Sequence, residues 1–247
     1  MKELKDKIAI VTGGNSGIGY ATAKELVAQG ATVIITGRRR EAIEKAAAEI
    51  GALPFVADQA KIEDTALLFD EVKKQYGKVD ILFVNAGITG VQLPIEQMTT
   101  ENFDSVMGIN FRGAYFTLSK FIPLLSDGAS VVILSSIVAS TYHANSSVYQ
   151  ASKAALNSIA KTAAAELAPR NIRVNIVSPG PTKTEILSKS GLDEDSLQQL
   201  TRQLVSQIPL KRMGAAEDIA KWVVYLSGDS ARFITGAEIT MDGGLTL

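Results

Sequence analysis

Tyr149 and Lys153 stand four residues apart in the pentapeptide Tyr149-Gln150-Ala151-Ser152-Lys153. On a helix that spacing places two side chains on one face, so the lysine ammonium can lie beside the phenol. A free tyrosine titrates near ~10 and is a poor acid or base at neutrality. A neighbouring cation favours the phenolate, and each unit of downward shift is worth ~1.4 kcal/mol. The pair can therefore act as a tuned proton donor. Tyrosine and lysine also meet by chance on exposed helix faces, so its meaning depends on the residues around it.

Those residues must be positioned by a sheet. Short β-rich runs at Ile8–Thr12, Thr32–Thr36, Leu53–Ala57, Ile81–Val84, Val131–Ser135 and Val174–Ser178 read as buried parallel strands. Helical patterns alternate with them near Ile18–Gln29, Glu41–Ile50, Asp64–Tyr76, Glu101–Leu125, Val148–Leu167 and Ala215–Ser227, and a last strand spans Glu238–Met241. The alternation predicts an α/β protein with a Rossmann-type, doubly wound parallel sheet covered by helices on both faces. No linker or repeat interrupts it, so residues 1–247 read as a single domain. The least regular stretch lies between the sixth strand and the Ala215 helix. It is expected to form a substrate lid over about 182–214, with a polar helix near Glu194–Ser206.

The Gly-rich segment Thr12-Gly-Gly-Asn-Ser-Gly-Ile-Gly19 follows the first strand and opens the first helix. Glycines there allow a tight turn and let backbone N–H groups approach a pyrophosphate at the helix N-terminus. Its spacing is T-G-x-x-x-G-x-G rather than G-x-G-x-x-G. At the end of the second strand, NAD binders place an acid that accepts from the ribose 2′-OH. Here the residues are Arg38, Arg39 and Arg40, with no acid. A guanidinium can grip a 2′-phosphate bidentately, so NADP(H) is expected over NAD(H), with Arg38 the main ligand and Arg39 assisting.

Composition excludes other chemistries. The 247 residues carry 25 basic and 26 acidic side chains, a formal charge of -1, with no basic tract for a nucleic acid. With no Cys and one His, His143, no zinc site of thiolates and imidazoles can be built, and no metal is expected. The charged start Met1–Lys7 does not resemble a signal peptide, and no run approaches the ~20 apolar residues of a membrane span. A soluble, cytoplasmic protein is the expectation, consistent with the absence of cysteine.

Together these residues resemble the short-chain dehydrogenases/reductases over essentially the whole chain. The resemblance rests on the T-G-x-x-x-G-x-G turn, Asp58, Asn85-Ala86-Gly87, Asn110, Ser136 thirteen residues before Tyr149, Lys153, and Pro179-Gly180, all in order. It implies that Gly13, Asn15, Ser16, Gly17, Ile18 and Gly19 line the pyrophosphate and that Asp58 binds the adenine amino group. Asn85, Ala86 and Gly87 would lie beneath the cofactor, while Thr182 and Thr184, after Pro179-Gly180, position the nicotinamide end. The family often has two asparagines before that Ala-Gly; Val84-Asn85 stands here, which implies one structural hydrogen bond fewer. Ser136 would hold a substrate carbonyl, Tyr149 would protonate it, and Lys153 would bind the ribose and lower the Tyr149 pKa. Asn110 would bend its helix and hold a water linked to Lys153.

The implied reaction is reduction of a small-molecule ketone to a secondary alcohol, reversibly, by NADPH. Enoyl reductases of the superfamily usually place the lysine further from the tyrosine. A 3-oxoacyl-acyl-carrier-protein reductase is an alternative, although Leu124–Gly128 lacks the basic residues expected at a carrier-docking face and only Arg170 is present nearby. A dinucleotide-sensing protein without catalysis is a third reading, opposed by the intact Asn110, Ser136, Tyr149 and Lys153. The family commonly forms homotetramers through its long helices and C-terminal strand. Tyr142 is expected to line the pocket through its ring and His143 to sit on an exposed loop. Trp222 reads as core or subunit interface, and Leu187, Leu192, Leu197, Leu200 and Leu204 as a lid wall or ordinary packing.

Overall fold

A computed structural model describes residues 3–183 and 193–247. Seven parallel strands form one sheet: β1 (Ile8–Val11), β2 (Thr32–Gly37), β3 (Leu53–Val56), β4 (Val79–Val84), β5 (Leu125–Leu134), β6 (Arg173–Pro179) and β9 (Glu238–Met241). Their order is β3-β2-β1-β4-β5-β6-β9, so the winding reverses between β1 and β4. Two further two-residue strands, β7 (Thr182–Lys183) and β8 (Gly214–Ala215), pair beside it.

Alternation along the strands separates the two faces. Ala9, Val11, Val33, Ile35, Ile81 and Phe83 pack on α1 (Gly17–Ala28), α2 (Arg40–Ile50) and α8 (Ala216–Ser227). Ile8, Ile10, Ile34, Leu82 and Val84 face α3 (Ile62–Tyr76), α5 (Ala114–Phe121) and α6 (Ser147–Leu167). α2 and α3 stop at glycines in the left-handed region, Gly51 at φ 75° and Gly77 at φ 69°. α7 (Glu194–Gln207) begins at Asp193, whose carboxylate accepts from Ser196 N at 2.9 Å.

The doubly wound sheet agrees with the sequence reading, and each expected strand is present. One helix differs. The stretch read as continuous over Glu101–Leu125 is α4 (Thr100–Met107), a π-helical turn at Gly108–Gly113, then α5 and a short 3₁₀ turn at Ile122–Leu124. The π turn inserts a residue into the helical register, which a 3.6-residue hydrophobic pattern does not reveal. β5 also starts earlier than expected, at Leu125, with a register irregularity where β4 runs from Val79 to Ile81.

Candidate active site

The reversal between β1 and β4 opens a crevice at the carboxyl edge of the sheet, and the Gly-rich turn fills one side of it. Gly13 has φ 66° and Gly17 φ 55°. A Cβ on Gly13 would meet Ala86 Cα and Asn85 Nδ2, both at 3.0 Å, and one on Gly19 would strike the Gly13 carbonyl. The turn closes only without side chains at these positions. Ser16 is the N-cap of α1 but its hydroxyl caps nothing, and the first turn carries no acid. The leading N–H groups are thus left at the positive end of the helix dipole, where an anion binds well.

Asn85 locks this turn to β4. Its Nδ2 donates to the Thr12 carbonyl at 2.7 Å and the Gly13 carbonyl at 3.1 Å. Thr12 Oγ1 in return accepts from Asn85 N at 2.9 Å and Ala86 N at 3.0 Å. Val84, at the position often held by a second asparagine, is simply a core residue of β4.

At the end of β2, Gly37 leaves room for Asn15, whose Oδ1 would lie 2.9 Å from a Cβ there. Arg38, Arg39 and Arg40 are all exposed, but only Arg40 is engaged, by Glu44 at 3.1 Å. Arg38 and Arg39 make no ion pair among the described residues. Asp58, half-buried after β3, accepts from Ala60 N through Oδ1 at 3.0 Å, and its own N–H donates to Asp64 Oδ2 at 2.8 Å. Its Oδ2 faces no donor among the described residues.

The reactive end is gathered by α6, β5 and β6. Tyr149 and Lys153 share one face of α6, with Lys153 Nζ 5.9 Å from the Tyr149 ring centroid. Lys153 is only 4% exposed, and Nζ donates to the Leu134 carbonyl at 2.8 Å. Burial without a counter-ion lowers its pKa from the ordinary 10.5 to about 8. Burial also raises the Tyr149 phenol above 10, and a hydrogen bond with Ser136 pulls it part of the way back. That corrects the expectation of a phenol lowered by Lys153. Both groups share a desolvated site that disfavours either charge, and the ammonium is aimed at Leu134. Ser136 Oγ also lies 3.4 Å from both Pro179 O and Val138 N. Gly180 follows, with its N–H on Met241 O at 3.0 Å, and Thr182 Oγ1 donates to the Gly180 carbonyl at 3.0 Å.

Asn110 sits in the π turn and is fully buried. Its Oδ1 accepts from Ile88 N and its Nδ2 donates to Ile88 O, both at 2.8 Å, while Nδ2 also reaches Ser152 Oγ at 3.1 Å. The helix is distorted at this residue, as expected. Its side chain, however, is spent on the Ile88 backbone and on Ser152, whose hydroxyl donates to Tyr149 O at 2.7 Å.

The structure therefore brings the Gly-rich turn, Asn85-Ala86-Gly87, Asn110, Ser136, Tyr149, Lys153, Pro179 and Gly180 to one edge. Thr184, Leu187 and Leu192 lie outside the described residues. Tyr142 is 93% exposed rather than turned into a pocket, because its loop projects past the short 3₁₀ turn at Ile137–Ala139. His143 is exposed beside Thr141 Oγ1 at 3.1 Å. Leu197, Leu200 and Leu204 form a half-buried row on α7. Trp222 is 39% exposed and stacks edge-on against Tyr225, with centroids 5.4 Å apart, so it is a surface residue and not core. Sequence reasoning did not single out Thr12, Gln59 or Ser152 as bridging residues. Only their polarity next to motif residues marked them.

A glycine-rich turn at an uncapped helix start, with Arg38 and Arg39 beyond it unpaired among the described residues, fits a nicotinamide dinucleotide. Residues 13–246 match a family model described as enoyl-(acyl carrier protein) reductase. An NADP-dependent (R)-specific alcohol dehydrogenase of Lentilactobacillus kefiri is 37% identical, covering 98% of each chain. A 3-oxoacyl-(acyl-carrier-protein) reductase of Thermotoga maritima is 33% identical over 99% of each chain. Among solved structures, a short-chain dehydrogenase of Burkholderia cenocepacia in complex with NADP superposes with a TM-score of 0.89 at 33% identity, covering 99% of this chain and all of the other. Fold and site together define an NAD(P)-dependent oxidoreductase acting on a small molecule. The chain belongs to the short-chain dehydrogenase/reductase family.

The depressed Lys153 pKa has a stability consequence. Between about 8 and 10.5 the unfolded chain binds a proton that the folded site has released, so stability rises with pH across that window. Below it, the buried ammonium costs the fold on the order of 3 kcal/mol. Lys153→Met removes that cost but leaves the Leu134 carbonyl without its donor. Urea titration is expected to show the variant's stability, relative to wild type, highest at pH 7 and falling toward pH 10.5. A difference that does not change with pH would contradict a strained ammonium.

Proposed function

We propose that this enzyme is an NADPH-dependent carbonyl reductase, running reversibly between a ketone and a secondary alcohol. It would work as one domain over residues 1–247, with a substrate lid at about 182–214. The observation that carries the reading is the desolvated cluster of Ser136, Tyr149 and Lys153 beside the uncapped Gly-rich turn.

The nicotinamide cofactor supplies the hydride. Ser136 Oγ, already a partner of the Tyr149 phenol, orients the substrate oxygen and donates to it as charge develops. Tyr149 delivers the proton to the same oxygen. Its raised pKa keeps the phenol protonated at neutral pH, the state a reductase needs in its acid. Lys153, held against the Leu134 carbonyl, would bind the cofactor ribose through its remaining N–H bonds and would offer a positive charge to the phenolate left after transfer. Asn110 fixes the Ile88 loop and, through Ser152, the turn of α6 that carries Tyr149. Asn15, Ser16, Gly17, Ile18 and Gly19 would bind the pyrophosphate, Asp58 the adenine, and Thr182 with Thr184 the carboxamide end.

Arg38 and Arg39 support NADP(H) over NAD(H), since neither is neutralised by a carboxylate among the described residues and no acid stands at the end of β2. Arg170 is committed within the fold, to Asp127 at 2.9 Å and to the carbonyls of Ile122 and Leu125, which argues against its use by a carrier protein. A free small ketone therefore fits better than a carrier-bound thioester. A cytoplasmic homotetramer is the assembly proposed. Tyr115, Phe116, Trp222 and Tyr225 give the α5 and α8 surfaces exposed aromatic faces suited to subunit contacts.

NADPH oxidation measured over methyl ketones, β-keto esters, ketosteroids and an enoyl thioester tests the reaction. Turnover of a ketone is expected, and Tyr149→Phe should retain NADPH binding while losing roughly 10²–10⁴-fold in kcat. Tight NADPH binding with no wild-type turnover would favour the sensing role, and turnover of the enoyl thioester alone would move the reaction to a C=C bond. Arg38→Ala should raise the KM for NADPH by about 10- to 100-fold, the loss of one charge-assisted contact, and leave that for NADH unchanged. Light scattering coupled to size exclusion should report four subunits; a monomer would remove the tetramer.

A further inference from the structure

Gln59 follows the adenine-end Asp58 but points the other way, into the protein. It is 9% exposed. Its Nε2 donates to two main-chain carbonyls from different elements, Ala86 at 3.1 Å and Ile109 at 3.0 Å. The amide orientation follows from chemistry, because the flipped form would set Oε1 against two carbonyl oxygens. Oε1 is left buried with no donor among the described residues. A buried, unsatisfied acceptor is costly, and an apolar residue of the same shape would avoid that cost.

The two carbonyls explain what the glutamine does. Ala86 precedes Gly87, and a Cβ on Gly87 would stand 3.2 Å from Asn110 Oδ1 and 3.6 Å from Lys153 Nζ. Ile109 precedes Asn110 in the π turn. The same turn rests directly on residue 59, since a Cβ on Gly113 would overlap the Gln59 carbonyl. Arg112 Nη1, also in the turn, reaches the neighbouring Ala60 carbonyl at 3.5 Å. The loop Ala86–Ile88 is thus held to the π turn from both ends. Gln59 ties it at Ala86 and Asn110 ties it at Ile88.

We infer that Gln59 is a positioning residue for hydride and proton transfer. Its amide fixes the separation between the Gly87 loop and the Asn110 turn, and thereby the slot in which the Lys153 ammonium sits. The inference rests on the catalytic reading of Lys153 and Tyr149. It also makes a mechanical link between the strand end that receives adenine and the reacting end of the crevice.

Gln, Met and Glu have nearly the same length and volume, so they separate hydrogen-bond donation from packing. With the fastest ketone of the panel, Gln59→Met should lower kcat by roughly 10- to 100-fold, the scale of a small misplacement of reacting groups. Gln59→Glu, which sets a carboxylate against the same carbonyls, should fall further. Affinity for the adenine half alone, read by calorimetry with adenosine 2′,5′-bisphosphate (or AMP should NADH be preferred), should stay within about twofold, because Asp58 and the arginines are untouched. Met and Glu variants with wild-type kcat would overturn the inference, as would a kcat loss matched by an equal loss of adenine-half affinity. Should Gln59→Met not fold, hydrogen exchange of the wild-type protein decides. Peptides covering 86–88 and 109–113 should open with one shared free energy, and separate openings would overturn the tie. Wild-type turnover and the Tyr149→Phe control test the catalytic reading independently, so either idea can fail without the other.

Discussion

The structure is organised around one unfavourable fact, a lysine ammonium buried without a carboxylate. No acid pairs with Lys153 among the described residues; its one protein partner is a neutral carbonyl at the end of β5. A buried charge in that state is tolerated only where the surroundings hold it rigidly. Gly87 gives it space, Asn110 fixes the loop bearing Gly87, and the full length of α6 carries it into the crevice. The same desolvation raises the phenol beside it. Tyrosine and lysine are thereby driven apart in proton affinity. A phenol pushed up from 10 and an ammonium pushed down to about 8 form a pair whose charge state responds to whatever binds between them. A solvent-exposed pair at the same spacing would have neither property, because water would satisfy both groups separately.

The sheet is what makes that arrangement affordable. Its two faces are sealed by separate apolar clusters, one under α1, α2 and α8, the other under α3, α5 and α6. Several irregular features collect at the carboxyl edge: positive-φ glycines in the first turn, the π turn, the Gln59 oxygen with no partner among the described residues, and the buried lysine. The apolar layers on the two faces thus support an irregular edge. Asn85 and Thr12 are the hinge between these regimes, since their four reciprocal hydrogen bonds join the Gly-rich turn to the strand across the crevice.

Periodicity carried the strands and most helices, because strand alternation and helical faces are short-range consequences of burial. The motif residues were legible for a different reason: each performs a task that few residue types can perform, as Gly13 does beside Ala86. What stayed hidden depends on distant partners or on dielectric. A single extra residue in the π turn does not disturb the apolar pattern of 101–125, so the helix read as continuous. Gln59 looks like a loop residue until Ile109 and Gly113, fifty residues away, close over it. The sequence also shows the distance from Tyr149 to Lys153 but not the desolvation that reverses the direction of the phenol's shift. Among the three arginines, Glu44 singles out Arg40 as the engaged one through ordinary i,i+4 spacing, a signal present in the sequence and easily overlooked.

Substrate identity lies outside this logic. The proposed mechanism requires Ser136, Tyr149 and Lys153 to hold their places relative to one another, and each is anchored to a buried element: the end of β5 or the body of α6. The side chains expected to meet a substrate lie on segments with no such anchor. Tyr142 projects from a loop into solvent, and α7 offers a half-buried leucine row on a helix that is otherwise polar. Substitutions there alter little of the packed core, so they change stability by small amounts. Substitutions at Gly87 or Asn110 disturb the slot that holds a buried charge. Changes of specificity therefore disturb the fold less than changes at the slot, and the same edge of the sheet can keep one buried constellation while the surface above it is rebuilt for different small molecules.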